Sequence, residues 1–91
     1  MDINVRGLDI AYQRVGDGPP VVFVHGALAD SRVWRQQLAG LSDEFTVIAW
    51  DEPGTGGSSD PPETFSLADY ADCLAAFIAA LDLSPVCVAG L

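Results

Sequence analysis

Hydrophobic and polar residues alternate at the start of the chain. Residues 3–6 and 9–15 each follow a two-residue period and are separated by Gly7-Leu8, which predicts a β-hairpin. The segment GDGPP (residues 16–20) then interrupts this pattern with turn-forming residues. The first twenty residues are therefore expected to form two short paired strands followed by a turn.

Three later segments are continuously apolar instead of alternating. They are VVFVHG (residues 21–26), FTVIAWD (residues 45–51) and VCVAG (residues 86–90). Runs of this kind are typical of strands that are covered on both faces of a sheet. We therefore expect three buried strands after the hairpin.

Residues between the first two apolar runs have helical spacing. Asp30 or Ser31 can cap a helix that extends to about Leu41, because both side chains carry an oxygen that accepts a backbone N–H bond. Trp34, Leu38 and Leu41 then fall on one stripe of this helix. The stripe is expected to face the sheet.

A second helix is predicted to begin at a capping box formed by Ser66 and Asp69 and to extend to about Leu83. Its apolar residues recur with helical spacing, which indicates a stripe that belongs to the core. They are Leu67, Tyr70, Leu74, Phe77, Ile78 and Leu81.

The order of these elements indicates an α/β fold, a β-hairpin followed by β-α-β-α-β in one domain. Strands that alternate with helices at short spacing imply parallel pairs joined by right-handed crossovers. In such sheets, ligand sites are built at the C-terminal ends of the strands. Glycine-rich and polar segments follow residues 25, 51 and 90, so we expect any chemistry at these three strand ends.

Composition narrows the possible partners. The chain is 49% hydrophobic, and its four Arg, absent Lys and thirteen Asp plus Glu give a net charge of −9. This charge disfavours binding to nucleic acid or to anionic membrane surfaces.

The N-terminus has no signal-peptide pattern, and the longest apolar run, CLAAFIAAL, is too short to span a bilayer. A cytoplasmic protein is expected.

The two cysteines, Cys73 and Cys87, both stand among apolar residues. Neither belongs to a CxxC pair or to a Cys/His pattern. We interpret both as buried thiols rather than as metal ligands or disulfide partners, and we predict no metal site.

The first strand end carries His25-Gly26-Ala27. Gly26 permits a tight turn, and the backbone N–H of Ala27 can then project toward a developing oxyanion, as acyl transfer requires. His25, the sole histidine, has two interpretations: a general base, or a structural side chain that bonds to nearby backbone and shapes the loop. We favour the structural interpretation, because nothing else in the chain completes a nucleophile pair.

The second strand end is the loop DEPGTGGSS, which begins at Asp51. It lacks the Lys of a Walker A loop and the third glycine of a dinucleotide fingerprint, so a phosphate site is disfavoured. We interpret Asp51, Gly54, Gly56 and Ser58 as structural loop residues. His25, Asp51 and Ser58 have the residue types of a catalytic triad, but sequence order does not establish the hydrogen bonds that a triad needs.

The third strand end, Gly90-Leu91, matches the first half of the G-x-S-x-G turn that exposes a nucleophilic serine above a sheet. Four features occur in series: His25-Gly26 after a strand, Trp34 in the next helix, the D-x-x-G-x-G-x-S pattern of DEPGTGGSS, and VAGL. Together they resemble the N-terminal part of the α/β-hydrolase superfamily, in the branch with proline-iminopeptidase-like and esterase-like enzymes. The resemblance spans essentially the whole chain.

This resemblance implies that residues 1–91 are an incomplete N-terminal segment of a single α/β-hydrolase domain. It implies a serine hydrolase that cleaves an ester, amide or related acyl bond of a small molecule, without a cofactor. Its Ser-His-Asp triad would lie beyond this segment, with the nucleophile directly after Leu91, so no catalytic residue is expected in the chain. The Ala27 N–H would contribute to the oxyanion hole, with Gly26 and His25 shaping the loop. The segment alone is expected to be marginally stable or to aggregate, because its last strand would be an apolar edge.

Three other functions stay open. Some relatives place Asp instead of Ser at the nucleophile position, for dehalogenase or epoxide-hydrolase chemistry. A truncated hydrolase fold can instead be a non-catalytic module that binds a partner along its fifth strand. A dinucleotide-binding domain is the least favoured, because the third glycine is missing and a hairpin precedes the first parallel strand.

Overall fold

The computed structural model describes residues 1–26, 29–83 and 85–90. Its strands and helices follow one another along the chain in the order that the sequence predicts. They are β1 (Asp2–Val5), β2 (Leu8–Val15), β3 (Pro20–Val24), α1 (Arg35–Leu41), β4 (Thr46–Trp50), α2 (Leu67–Ala80) and β5 (Cys87–Gly90), with a 3₁₀ turn over Ser31–Trp34 before α1.

The strands form one mixed sheet in the order β1-β2-β4-β3-β5. β1 and β2 are an antiparallel hairpin, and Arg6 and Gly7 between them have φ values of 53° and 86°, as a tight turn matched to strand twist requires. β2 runs antiparallel to β4, while β3 runs parallel to both β4 and β5. The predicted α/β class, the hairpin and the parallel pairing of the three later strands are confirmed.

Two apolar clusters form the core, one on each face of the sheet. All five residues of β4 are buried because this strand lies in the middle of the sheet. Its side chains alternate between the clusters, with Val47 and Ala49 in one and Ile48 and Trp50 in the other. α1 covers the first cluster and α2 the second, which places one helix on each face.

The start of α1 agrees with the predicted cap and stripe. Asp30 is the capping residue, since its carboxylate accepts a hydrogen bond of 2.9 Å from the Arg32 N–H. Trp34 and Leu38 are buried in the cluster on this face, and Leu41 packs against it. The chain forms a 3₁₀ turn before the α-helix begins at Arg35.

The capping box that begins α2 is confirmed, but the apolar stripe of this helix is only partly correct. The Ser66 hydroxyl accepts from the Asp69 N–H (3.2 Å), and the Asp69 carboxylate accepts from the Ser66 N–H (2.8 Å). Phe77 is fully buried, whereas Leu67 is 86% exposed. Leu67 is the first residue of α2, while Leu74, Ile78 and Leu81 further along the stripe pack against the core.

α2 ends at Ala80, three residues before the predicted end. Asp82 adopts a φ of 54°, which turns the chain out of the helix. Its N–H donates to the Ala79 carbonyl (3.0 Å), and the Leu83 N–H donates to the Ile78 carbonyl (3.3 Å). This is the pattern that usually places glycine at the turning position.

The prediction that β5 is buried is wrong for this chain. Val88 is 50% exposed, and Cys87 is exposed as well. β5 lies at the edge of the sheet and, among the described residues, pairs with β3 alone. An apolar run indicates a strand that can be covered, but within the part of the chain that is described no helix covers this one.

The two cysteines therefore differ in environment. Cys73 is buried in the α2 side of the core, as predicted, and burial raises the pKa of its thiol. The prediction that Cys87 is buried is wrong, because this residue shares the exposure of β5. Both thiols are free. In residues 1–26, 29–83 and 85–90, no helix is long and apolar enough to cross a membrane.

Candidate functional site

The carboxyl ends of β3, β4 and β5 lie side by side at one edge of the sheet, because the three strands are parallel. Phe23 of β3 pairs with Ala49 of β4 on one side and with Ala89 of β5 on the other. Val24 pairs with Gly90 one residue later. The segment that begins at residue 25 thus leaves the sheet between the loop after β4 and the end of β5. The three predicted strand ends are neighbours.

His25 joins two of these strand ends through both of its ring nitrogens. The side chain is buried, with 3% of its surface exposed. Its Nε2 accepts a hydrogen bond of 3.0 Å from the Glu52 N–H, and its Nδ1 lies 2.9 Å from the Gly26 carbonyl oxygen. A nitrogen that accepts from an amide carries no proton, so the proton is assigned to Nδ1, which donates to Gly26. The imidazole is therefore neutral and bonded on both sides to backbone.

Asp51 is a buried carboxylate that joins two loops. Its Oδ1 accepts from the Ser31 N–H (2.7 Å) and its Oδ2 accepts from the Gly57 N–H (3.1 Å). Gly56, with a φ of 48°, lies against the carboxylate so closely that a Cβ at this position would overlap it. The loop after β4 can close over Asp51 only because residue 56 is glycine.

Gly54 and Ser58 hold the same loop to itself and to β2. The Gly54 N–H donates to the Ser59 carbonyl (2.9 Å), and Gly54 has a φ of 86°. The Ser58 hydroxyl accepts from the Ala11 N–H (2.9 Å) and donates to the Asp51 carbonyl. The loop is thus fixed by hydrogen bonds that end on backbone atoms.

His25, Asp51 and Ser58 do not form a triad in the described part of the chain. The side chain of each bonds to backbone atoms, and none bonds to the side chain of another. Ala27, predicted to supply an oxyanion-hole amide, and Leu91, predicted to precede the nucleophile, lie outside the described residues. Across 1–26, 29–83 and 85–90, no three His, Cys, Asp or Glu side chains are grouped as metal ligands would be.

Two open clefts adjoin these loops. One of about 480 Å³ lies against β2 and is lined by Tyr12, Gln13, Ser31, Asp51 and Gly57, among others. The other, of about 470 Å³, is lined by Asp30, Glu52, Pro53, Thr55, Gly56 and Tyr70, among others. Both leave the loops after β3 and β4 accessible from solvent.

An ion pair stands beside both clefts. The Arg32 guanidinium lies 2.8 Å from the Asp30 carboxylate. Its hydrogen bonds lower the pKa of Asp30 from 3.8 to about 2, with the backbone N–H of Arg32 adding to the effect. Asp30 therefore stays charged at neutral pH.

Sequence reasoning missed the partners that hold the site together. They are the backbone N–H groups of Ser31, Glu52 and Gly57. Every residue except proline carries such a group, so no residue type marks it. The sequence marks Ser31 only as a candidate helix cap, whereas its buried hydroxyl accepts a bond of 3.1 Å from the Gln13 side chain.

The chain is similar in sequence to known proteins of one fold family. The family model for the alpha/beta hydrolase fold matches residues 19–90. The chain is 34% identical over 79 residues to 2-(acetamidomethylene)succinate hydrolase from Mesorhizobium japonicum, covering 87% of this chain and 28% of that protein. It is 36% identical over 85 residues to haloalkane dehalogenase from Sphingobium indicum, covering 89% of this chain and 29% of that protein.

A solved structure matches the same elements. An esterase from Thermogutta terrifontis superposes with a TM-score of 0.92 at 31% identity, over 100% of this chain and 36% of that protein. The chain spans between a quarter and a third of the length of the curated relatives it matches.

Proposed function

Since this chain belongs to the α/β-hydrolase fold family, we propose that it forms the N-terminal part of a serine hydrolase. In this proposal the complete protein cleaves an ester, amide or related acyl bond of a small molecule. The nucleophilic serine follows Leu91 directly, and the acid and base of the triad come from residues beyond this segment.

The pairing of Val24 with Gly90 is the observation that supports this proposal most strongly. It brings the last residue of β5 beside the last residue of β3. A nucleophile that follows Leu91 would stand next to the turn that begins at His25. Acyl transfer needs a nucleophile and amide donors at neighbouring positions, because the donors stabilise the oxyanion that forms on attack.

The bonding of His25 supports a base elsewhere in the protein. A general base must accept a proton from the nucleophile on a free ring nitrogen. Nε2 of His25 already accepts from Glu52, and Nδ1 donates to Gly26. We therefore propose that His25 shapes the loop and is not the base. The Ala27 N–H is one donor of the oxyanion hole in this proposal.

An aspartate nucleophile is the second candidate, favoured by the similarity to the Sphingobium indicum haloalkane dehalogenase. An Asp at the same position would attack carbon and form an ester intermediate. A fluorophosphonate probe, which reacts with activated serines, would then leave the protein unmodified, whereas haloalkane turnover would release halide.

The intact mass of the native polypeptide, with and without a fluorophosphonate probe, tests the proposal. We expect a chain well above 9.6 kDa that gains one probe adduct. A heavier chain that gains no adduct but releases halide from haloalkanes would indicate that the nucleophile is an aspartate and not a serine. A 9.6 kDa chain that gains nothing would overturn the proposal and favour a non-catalytic module that binds a partner along β5.

A further inference from the structure

We propose that Asp51 is a positioning residue for acyl transfer, and this inference rests on the proposed function. Its carboxylate bonds to the N–H of Ser31, where the loop after β3 enters the 3₁₀ turn. Asp51 thereby holds the far end of the loop that carries the expected oxyanion-hole amide.

Two consecutive residues hold both ends of this loop. At its start, the Glu52 N–H donates to Nε2 of His25 at 3.0 Å. At its end, Oδ1 of Asp51 accepts from the Ser31 N–H at 2.7 Å. Residues 26–30 lie between these two hydrogen bonds, and Ala27 is among them. The two residues directly after β4 therefore hold the loop at two points, and Asp51 does so through its side chain.

Asp51 can hold this position because it is itself fixed on every side. Its Oδ2 accepts from the Gly57 N–H, its own N–H donates to the Ala11 carbonyl at 2.8 Å, and its carbonyl accepts from Ser58. Only 8% of its surface is exposed. A buried carboxylate is stable only when its oxygens are bonded, so any movement away from Ser31 would leave a charged oxygen unpaired.

The consequence for catalysis is geometric. An oxyanion-hole amide acts only when it stands within hydrogen-bond distance of the oxygen in the transition state. A misplacement of about 1 Å can lower the rate by roughly 100-fold. Loss of the Asp51 bond to Ser31 should therefore lower kcat and leave KM nearly unchanged, because the amide contributes little to ground-state binding.

The chain offers a matched control at the opposite end of β4. Thr46 is also buried, and its hydroxyl makes two hydrogen bonds to the backbone of Gly18, at 2.8 and 2.9 Å. Thr46→Val removes both bonds without changing the shape of the side chain. Like Asp51→Ala, it removes two buried side-chain bonds to backbone, but it lies far from the three strand ends.

The experiment compares Asp51→Ala, Asp51→Asn and Thr46→Val in the full-length protein. Hydrolysis of p-nitrophenyl butyrate gives kcat and KM, and amide hydrogen exchange reports on Ser31. We expect Asp51→Ala to lower kcat by roughly 10- to 100-fold with KM within about twofold, and to speed exchange at Ser31. Asp51→Asn keeps an oxygen that can accept from Ser31, so it should recover most of kcat and of the protection. Thr46→Val should lower the melting temperature without changing either readout.

Equal kcat values for Asp51→Ala and Thr46→Val would overturn the proposal. A low kcat in Asp51→Asn with Ser31 still protected would also overturn it, because kcat would then not depend on the bond to Ser31. If Asp51→Ala does not fold, Asp51→Asn and Thr46→Val still decide between these outcomes. A wild-type protein that neither hydrolyses the ester nor reacts with a fluorophosphonate would refute the proposed hydrolase. Amide exchange at Ser31 would then still test whether Asp51 holds the loop. Faster exchange in Asp51→Ala than in the wild type would support that role, and equal exchange would contradict it.

Discussion

The imidazole of His25 accepts a hydrogen bond from the backbone N–H of Glu52, with 3.0 Å between Nε2 and N. The two residues follow β3 and β4, which are neighbours in the sheet. A single buried side chain thus links the starts of two loops that the proposed function uses. The link requires an unprotonated Nε2.

Replacing His25 with alanine should destabilise the full-length protein. The Glu52 N–H would lose its acceptor in a partly buried position, which costs about 1 to 3 kcal/mol in the free energy of unfolding. Chemical denaturation measures this loss, and long-range ¹H–¹⁵N NMR should find the proton of wild-type His25 on Nδ1. Ser59→Ala is the control, since it removes only a bond to the exposed Asp9 N–H. A proton on Nε2, or equal stability of the two variants, would contradict this account of His25.

Alanine at Gly56 should destabilise the loop after β4. The new Cβ would overlap the Asp51 carboxylate, and the φ of 48° is unfavourable for any side chain. We expect a loss of about 1 to 3 kcal/mol in the free energy of unfolding. Gly40→Ala is the control, because Gly40 lies in α1 with open space around it, and this variant should gain about 0.5 to 1 kcal/mol. Similar denaturation midpoints for both variants would show that the contact between Gly56 and Asp51 is not tight.

The ion pair between Asp30 and Arg32 should make a small contribution to stability that depends on pH. Because the folded-state pKa of Asp30 is lowered to about 2, the contribution is complete above about pH 4 and is lost as pH falls toward 2. Arg32→Ala should raise the pKa of Asp30 toward 3.8, as followed by NMR titration of its carboxyl carbon. The carboxyl of Asp69, whose pKa is lowered by Ser66, should titrate unchanged. An unchanged pKa of Asp30 in this variant would rule out the Arg32 guanidinium as the main cause.

A polypeptide of residues 1–91 alone should aggregate or unfold without a cooperative transition. Its β5 edge leaves Val88 half exposed, and an apolar edge strand pairs readily with other chains. Sedimentation and thermal unfolding at several protein concentrations measure both properties. Val88→Lys at the same edge should reduce the aggregation, since a charged edge resists pairing. A monomeric, cooperative transition of the unmodified polypeptide would contradict the prediction.

The sequence predicted most of the fold because local patterns decide its elements. The buried run from Thr46 to Trp50 is a central strand, and the hydroxyl and carboxylate of Ser66 and Asp69 form the predicted capping box. The end of α2 was missed because Asp82 occupies a turning position that usually carries glycine. The exposure of Cys87 was missed because an apolar run does not reveal which elements cover it.

The candidate site was predicted only in outline. Glycines and strand ends marked the loops that begin at His25 and Asp51, and parallel pairing brought those loops together. Their actual partners are the N–H groups of Ser31, Glu52 and Gly57, which carry no signal in the sequence. Tertiary structure alone selects which backbone amide meets a given side chain.

The position of the fluorophosphonate adduct decides whether the nucleophile follows Leu91. The full-length protein is labelled and digested, and the modified residue is identified by tandem mass spectrometry. We expect one adduct, on a serine directly after Leu91. An adduct on Ser58 or Ser31 would contradict it, because the nucleophile would then lie within this segment and the hydrogen bonds assigned to those residues would not describe the working enzyme.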